Sequence, residues 1–249
     1  EFYSFQTSYT NERSNRLFVG TGATLGTAVT LRVTDSCSNA ITGCIGVGPS
    51  NISKVALSGS GYVDILQFII PLPSWASVHD AANGSNALSG NIVWAGVNWA
   101  SGYQYLYRGF LRMDLTGFDG SEVITSAILA LTTYSVPAIG ATIAIGKTTW
   151  TGSSLATSDY DEFEQVLYAD PVAIEHDSDP QLIPFALNED AIALIQANLG
   201  GSVRFCVREY TYDYLNEAPG DTNAHEVLFY GSNAITSRKP RLTLNYLEC

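Results

Sequence analysis

Apolar and polar positions alternate with a period of two over short stretches along most of this chain, and clusters of Gly, Asn, Ser and Pro separate the stretches. The pattern is clearest between residues 92 and 107. Ile92-Val93-Trp94-Ala95-Gly96-Val97-Asn98-Trp99 runs into Ala100-Ser101-Gly102, and Tyr103-Gln104-Tyr105-Leu106-Tyr107 returns with tyrosine at every second position, which predicts a hairpin. Further strands are predicted over Ile124–Thr133, Thr142–Thr148, Leu182–Leu187, Val203–Arg208, Glu226–Tyr230 and Arg241–Tyr246. This spacing predicts an all-β fold, an antiparallel β-sandwich of jelly-roll type, rather than alternating strands and helices.

One stretch changes period. Asn188 is a cap residue, Glu189 and Asp190 fill a first turn, and Ile192, Ile195 and Leu199 recur at helical spacing before Gly200-Gly201. A short helix covering one end of the sandwich is predicted there. Towards the N-terminus, Leu17-Phe18-Val19, Val29–Val33 and Tyr62–Ile70 are strand-like, and Pro71-Leu72-Pro73 marks a break. Residues 1–73 are therefore expected to form a β-rich arm or accessory layer, and residues 74–249 the sandwich domain.

Composition narrows the partners. Hydrophobic residues are 46% of the chain and charged ones 14%, so much of the surface is built from neutral polar residues. A net charge of −12, with 12 basic residues in the whole chain, argues against nucleic acid, whose phosphates require Lys and Arg. The best apolar run, Tyr62–Leu72, is interrupted by Asp64, Gln67 and Pro71, so no membrane span is expected. Cysteines at 37, 44, 206 and 249 fit no zinc or redox motif. Bridges Cys37–Cys44 and Cys206–Cys249 are the preferred pairing, with buried free thiols as the alternative.

Candidate chemistry is sparse. Gly20–Gly26 precedes a strand-like run, not the helix a dinucleotide site needs, and reads as a turn. No Gly-x-Ser-x-Gly elbow occurs, and His79, His176 and His225 lack metalloprotease spacing. Asp159, Asp161 and Glu162, with Glu164 beside them, offer oxygen ligands to calcium, against the blander reading of a solvated acidic loop. Glu226 alone among the glutamates sits in an apolar strand, between His225 and Val227-Leu228-Phe229. Aromatic rings are the stronger lead, because flat rings stack on sugars or pack a subunit contact. Trp94 and Trp99 flank the hairpin, while Tyr210, Tyr212 and Tyr214 repeat at every second position in a polar edge segment.

Three segments together carry a family likeness: Tyr107-Arg108-Gly109-Phe110-Leu111-Arg112-Met113-Asp114-Leu115, Ser126-Ala127-Ile128-Leu129-Ala130-Leu131, and Lys239-Pro240-Arg241-Leu242-Thr243-Leu244-Asn245-Tyr246. They resemble the DNRLRE-type, carbohydrate-binding-module-like β-sandwich domains of phage particle and microbial surface proteins, over residues 75–247. Met113 stands where that pattern has Phe, and Leu115 where it has a small polar residue. The resemblance implies a structural Arg108–carboxylate pair with Asp114 as a signature position, a loop fixed by Asp159-Tyr160-Asp161, and a strand role for Glu226. It further implies a non-catalytic structural or adhesive subunit of a virion or extracellular surface, homo-oligomeric or joined to other assembly subunits. A polysaccharide-binding module is the alternative, and a polysaccharide-degrading enzyme the minor one; no cofactor is expected beyond the calcium already considered.

Overall fold

The computed structural model of the protein describes residues 32–34, 40–42, 52–57, 63–69 and, with gaps at 90–91, 101–102, 119, 138–139, 153 and 178–179, residues 75–248. Residues 1–48 and 49–249 form two compact units. In the first, β1 (Arg32–Thr34) and β2 (Ala40–Thr42) pair antiparallel, Val33 opposite Ile41. The second unit carries β3 (Ile52–Leu57), β4 (Val63–Ile69), α1 (Trp75–His79), β5 (Asn86–Ser89), β6 (Ile92–Ala100), β7 (Tyr103–Asp114) and β8 (Glu122–Ser135). After these come β9 (Ala141–Thr148), β10 (Phe163–Leu167), β11 (Val172–Ile174), β12 (Leu182–Ala186), α2 (Glu189–Ala197), β13 (Ser202–Glu209), β14 (His225–Tyr230) and β15 (Arg241–Glu248).

The fold is all-β and sandwich-like, a curled antiparallel sheet whose central path runs β10-β9-β13-β7-β6-β14-β8-β15-β3. Strand β8 makes the curl. Its residues 122–130 pair with β15 and 128–132 with β12, while Thr133 and Ser135 at its far end pair with β14. The strands expected from residue 92 onward are present, and Asn98↔Tyr105 and Trp99↔Gln104 confirm the hairpin register, while the strand-like runs Leu17-Phe18-Val19 and, up to Leu31, Val29–Val33 lie outside the described residues. The boundary expected at residues 73 and 74 lies earlier: β3 pairs with β15 and β4 with β7, so both belong to the main sheet. The cysteine loop and the glycine run, Cys37, Cys44 and Gly20–Gly26, fall outside the described residues.

Alternation sorts the core. Leu129 and Leu131 of β8, Ile183 and Phe185 of β12, Leu242 and Leu244 of β15, and Val203, Phe205 and Val207 of β13 meet Leu111 and Met113 of β7 in one interior. Each such side chain, once sealed from water, contributes about 1.5–3 kcal/mol. A second, smaller core lies on the opposite face of β7 and β13, where Phe110 and Cys206 pack with Val78, Trp150 and Tyr160. Strands β7 and β13 are therefore covered on both sides. Helix α2 forms as expected: the Asn188 side chain accepts from the Ala191 amide, and Ala191 and Ile195 enter the main core while Ile192, Leu194 and Leu199 pack at its margin. It also secures the start of β8. Gln196 accepts from Ile124 N and donates to Glu122 O, satisfying backbone groups at the strand's opening.

Strand β6 serves two partners, pairing with β14 over residues 92–97 and with β7 over 96–100. Gly96 is the pivot. Its φ of +139° excludes ordinary side chains, and an added Cβ would fall 2.3 Å from Glu226 Cα and His225 O. Close approach also explains Gly109, where a Cβ would fall 2.5 Å from Val93 Cγ1. Replacing Gly96 with Ala is therefore expected to lower unfolding free energy by more than about 2 kcal/mol. Gly220→Ala, which meets nothing within 4 Å, serves as control and should change it by less than about 0.5 kcal/mol in the same urea titration.

Candidate functional site

Buried charge concentrates at one point, the carboxylate of Asp213. It lies in a single π-type turn, Tyr210–Tyr214, that follows β13 and is capped by Glu209, whose side chain accepts from the Tyr212 amide. Arg108 from β7 donates through Nε and Nη2 to Asp213 Oδ1 at 3.0 and 2.8 Å; Arg208 from β13 donates through Nε to Oδ2 at 2.9 Å and through Nη2 to Oδ1 at 2.9 Å. All three side chains are buried. The remaining donors are also used: Arg108 Nη1 reaches Tyr160 O, its Nη2 reaches His79 O, and Arg208 Nη2 reaches Asp213 O. His79 Nε2 lies 2.7 Å from Asp213 O and Nδ1 lies 2.6 Å from Asp80 Oδ1. Four segments thus meet at one carboxylate: β7, β13, α1 and the 3₁₀ turn Thr157–Asp161.

Two guanidinium groups against one carboxylate leave an excess positive charge, which ring faces help to offset. Phe163 sits 3.6 Å from the Arg208 guanidinium and 4.5 Å from that of Arg108, and Tyr160 lies 4.1 Å from Arg108. Burial pushes the Asp213 carboxyl up, but the adjacent Arg108 and Arg208 charges outweigh it and hold the group well below the usual carboxylate range. The expected Arg108–carboxylate pair is made with Asp213, and the signature position Asp114 is not the partner. Six residues along one strand span about 20 Å, too far for a contact. Asp114 is exposed and instead accepts from the Thr116 amide, while the partner of Arg108 stands 105 positions away.

A second cluster forms where β6, β7 and β14 meet. Trp94 and Tyr107 stack with centroids 4.0 Å apart, and Tyr105 stacks on Tyr107 at 6.0 Å. Trp94 Nε1 donates to Glu226 Oε2 at 2.9 Å, and Asn98 Nδ2 donates to Oε1 at 3.0 Å. Register explains the assembly: Gly96 lies between Glu226 on β14 and Tyr107 on β7, and having no side chain it leaves space for the carboxyl and the rings to close over it. Burial pushes the Glu226 carboxyl up to about 7 despite those two hydrogen bonds. Burial, with the Glu226 charge second, also raises Tyr107. Trp99 is not part of this cluster. Alternation along β6 turns it to the opposite face from Trp94 and Asn98.

The tyrosines expected at period two take another arrangement. The π turn places Tyr210 and Tyr214 on one side, stacked at 5.5 Å, with Tyr214 Oη donating to Gln165 O; Tyr212 points away to His225, with which it shares a 3.4 Å contact. Glu209 capping, invisible to a periodicity test, sets this. Asp159, Asp161 and Glu162 do not converge as ligands either. Asp159 accepts from the Ala156 amide and Glu162 from the Thr149 hydroxyl. Among the described residues no group of three or more His, Cys, Asp or Glu side chains is placed to hold a metal ion.

Cys206 is a free, buried thiol, the alternative weighed for it, and its expected partner Cys249 lies outside the described residues. The Cys206 side chain lies in the second core and donates to Lys147 O at 3.4 Å, and burial pushes it up to about 11. The strand that ends at Glu248 pairs there with Glu122 of β8, not with β13. No helix among the described residues is long and apolar enough to cross a membrane. No protein-family model matches the sequence, and no curated protein is found to be similar to it.

Removing the Asp213 charge leaves two guanidinium groups uncompensated. Asp213→Asn is expected to cost about 3–5 kcal/mol in a denaturant titration at pH 7. Because the folded-state pKa is depressed, the charge contributes above the unfolded value near 4, and in the native protein that contribution is lost as pH falls below it. The difference between wild type and Asp213→Asn should therefore shrink in acid. For Glu226 the sign is opposite: its raised pKa makes stability fall as pH rises from about 4 to 7. Trp94 emission should titrate with a midpoint near 7, a transition absent from Glu226→Gln; a midpoint below 5 contradicts the burial argument.

Proposed function

We propose that this chain is a non-catalytic structural or adhesive subunit of an extracellular or virion-surface assembly, and that neighbouring copies meet through the outer face of β8, β12 and β15. The observation carrying this reading is the chemistry of that face. Leu182, Pro184 and Ala186 of β12 stand opposite Thr132, Ala130 and Ile128 of β8, with Thr243 and Asn245 of β15 beyond them. Leu182 is 46% and Ile128 38% exposed, with Pro184 and Ala186 exposed beside them, whereas Ala130 and Thr132 of β8 are buried. Among the described residues of this row, Arg241 is the sole charged side chain. The exposed run Leu182, Pro184 and Ala186 along β12, continued by Ile128 on β8, supports an interaction surface, and a face nearly free of charge lets two copies of a −12 chain approach without placing like charges together.

The deeply buried ionisable groups fit the same reading. Arg108, Arg208 and Asp213 bond to one another and to backbone oxygens inside the protein, which suits a rigid scaffold. The strand motifs that resemble surface-assembly sandwiches point the same way. Recognition of a glycan is the second reading, favoured by the Tyr210–Tyr214 pair, half-buried at the sandwich margin, and by the Trp94–Glu226–Asn98 cluster.

Light scattering and electron microscopy across a concentration series test the subunit reading. Wild type is expected to form a defined oligomer or array, and Ile128→Asp to revert it to monomer with an unchanged melting temperature, since the side chain is exposed. A wild-type monomer at every concentration, or assembly indifferent to Ile128→Asp, contradicts it.

A further inference from the structure

Strands β7 and β13 carry two arginine pairs on one face. Arg112 stands directly opposite Arg204, the next rung on that face is Phe110 opposite Cys206, and the rung after it brings Arg108 and Arg208 side by side. The two pairs have like backbone settings and unlike endings. The inner pair closes on the Asp213 carboxylate, which takes hydrogen bonds from both guanidinium groups. The outer pair closes on nothing of the kind. Arg112 Nε donates to Ser202 Oγ at 3.3 Å, and Arg204 Nη2 donates to the carbonyls of Thr151 and Gly152 at 3.0 and 3.3 Å. Among the described residues neither has an ion pair, and Arg204 Nε is buried without any acceptor.

Like charges directly opposite on neighbouring strands are destabilising, so this rung works against the fold in a chain that holds 24 acidic residues to 12 basic ones. The nearest carboxylate along the strand, Asp114, feels the Arg112 charge but makes no ion pair with it; it is exposed and accepts from the Thr116 amide. The arginines are nonetheless held in place. Arg204 lies 5.3 Å above the ring of the buried Trp150 and is fixed by two carbonyls, and Arg112 is fixed by Ser202. Burial and, after it, the Arg112 charge lower the Arg204 pKa, the response of a cation that lacks its counter-charge.

We infer that Arg112 and Arg204 form a binding subsite for a carboxylate presented from outside the protein, that of a uronic acid residue in an acidic polysaccharide, which bridges the two guanidinium groups as Asp213 bridges Arg108 and Arg208. Planar guanidinium groups match a carboxylate in paired hydrogen bonds. The bordering groups, Ser202, Thr151, Gly152 and Asp114, are polar and suit sugar hydroxyls, and they supply no exposed aliphatic surface for a peptide side chain. The overall charge of −12 disfavours densely charged polyphosphates while leaving a local cationic rung attractive to a single carboxylate. This inference rests on the adhesive side of the reading above and names what the subunit adheres to.

Isothermal titration calorimetry with tetragalacturonate tests it, alongside the fully methyl-esterified tetramer, poly-L-glutamate and inorganic phosphate. Tetragalacturonate is expected to bind and its neutral ester not to bind. Arg112→Gln and Arg204→Gln should each weaken binding at least about tenfold. In the absence of ligand Arg112→Gln should melt no lower than wild type, because it relieves a repulsion; a fall in melting temperature would assign the pair a structural role and overturn the subsite. No binding of tetragalacturonate, or equal or tighter binding of polyglutamate or phosphate, overturns it as well. Light scattering on the same wild-type samples separates the two readings, since uronate binding by a wild type that stays monomeric at every concentration removes the subunit reading alone.

Discussion

A single buried carboxylate sets the organisation of this protein. Asp213 is enclosed with two arginines, and the carbonyl oxygens of His79, Tyr160 and its own residue take the donors that the carboxylate cannot. Desolvating three charges is costly, and the arrangement persists only because the hydrogen bonds converge with good geometry and rings cover the guanidinium faces. The consequence is mechanical. A turn after β13, a short helix before β5 and a 3₁₀ turn before β10 set Tyr212, Val78 and Tyr160 on the second core, and each is also fixed to the middle of the sheet by one of these donors or acceptors.

This constraint also explains why β7 and β13 are buried on both faces in an antiparallel sheet, where one face is commonly left to water. Their odd-numbered residues fill the main core; their even-numbered residues carry Phe110 and Cys206 between two arginine rungs. One rung is neutralised from within, and the other is left as a cationic spot in an acidic chain. Glu226 follows a related logic at the hinge of β6. There a glycine removes a side chain, aromatic rings fill the space, and a carboxyl held by two neutral donors is driven towards neutrality rather than paired. Opposite outcomes for two buried acids follow from whether arginine or tryptophan stands beside them.

Much of the fold was legible in the sequence because alternation reports burial directly. The hairpin at 92–107, strands β8, β9, β12, β13, β14 and β15, and the Asn188-capped helix all announce themselves through spacing and caps. Short β10 and β11 did not, since five and three residues with mixed burial carry little periodic signal. The central pair was half legible. Arg108 in an apolar strand signals a buried cation, but its partner lies in a segment, Tyr210-Thr211-Tyr212-Asp213-Tyr214, whose tyrosine alternation imitates a strand. Only the cap from Glu209 turns that segment back and aims Asp213 inward. Trp94 and Glu226 were each visible as residues of interest, but their contact depends on Gly96, whose positive φ no local pattern reveals. Cys206 shows the same limit: its position in a strand is readable, whereas its burial between two layers depends on what packs above β13.

The claim that Asp213 fastens its surrounding turns into one cooperative unit with the sheet is tested most directly by native-state hydrogen exchange. The amide of Leu215, bonded to Tyr210 O, and that of Glu162, bonded to Asp159 O, lie in turns that would ordinarily open on their own. If the buried charge cluster governs them, both amides exchange with the same free energy and denaturant dependence as the amides of Phe110 and Cys206 in β7 and β13. Exchange at free energies typical of loose loops, while the strands stay protected, would contradict the account.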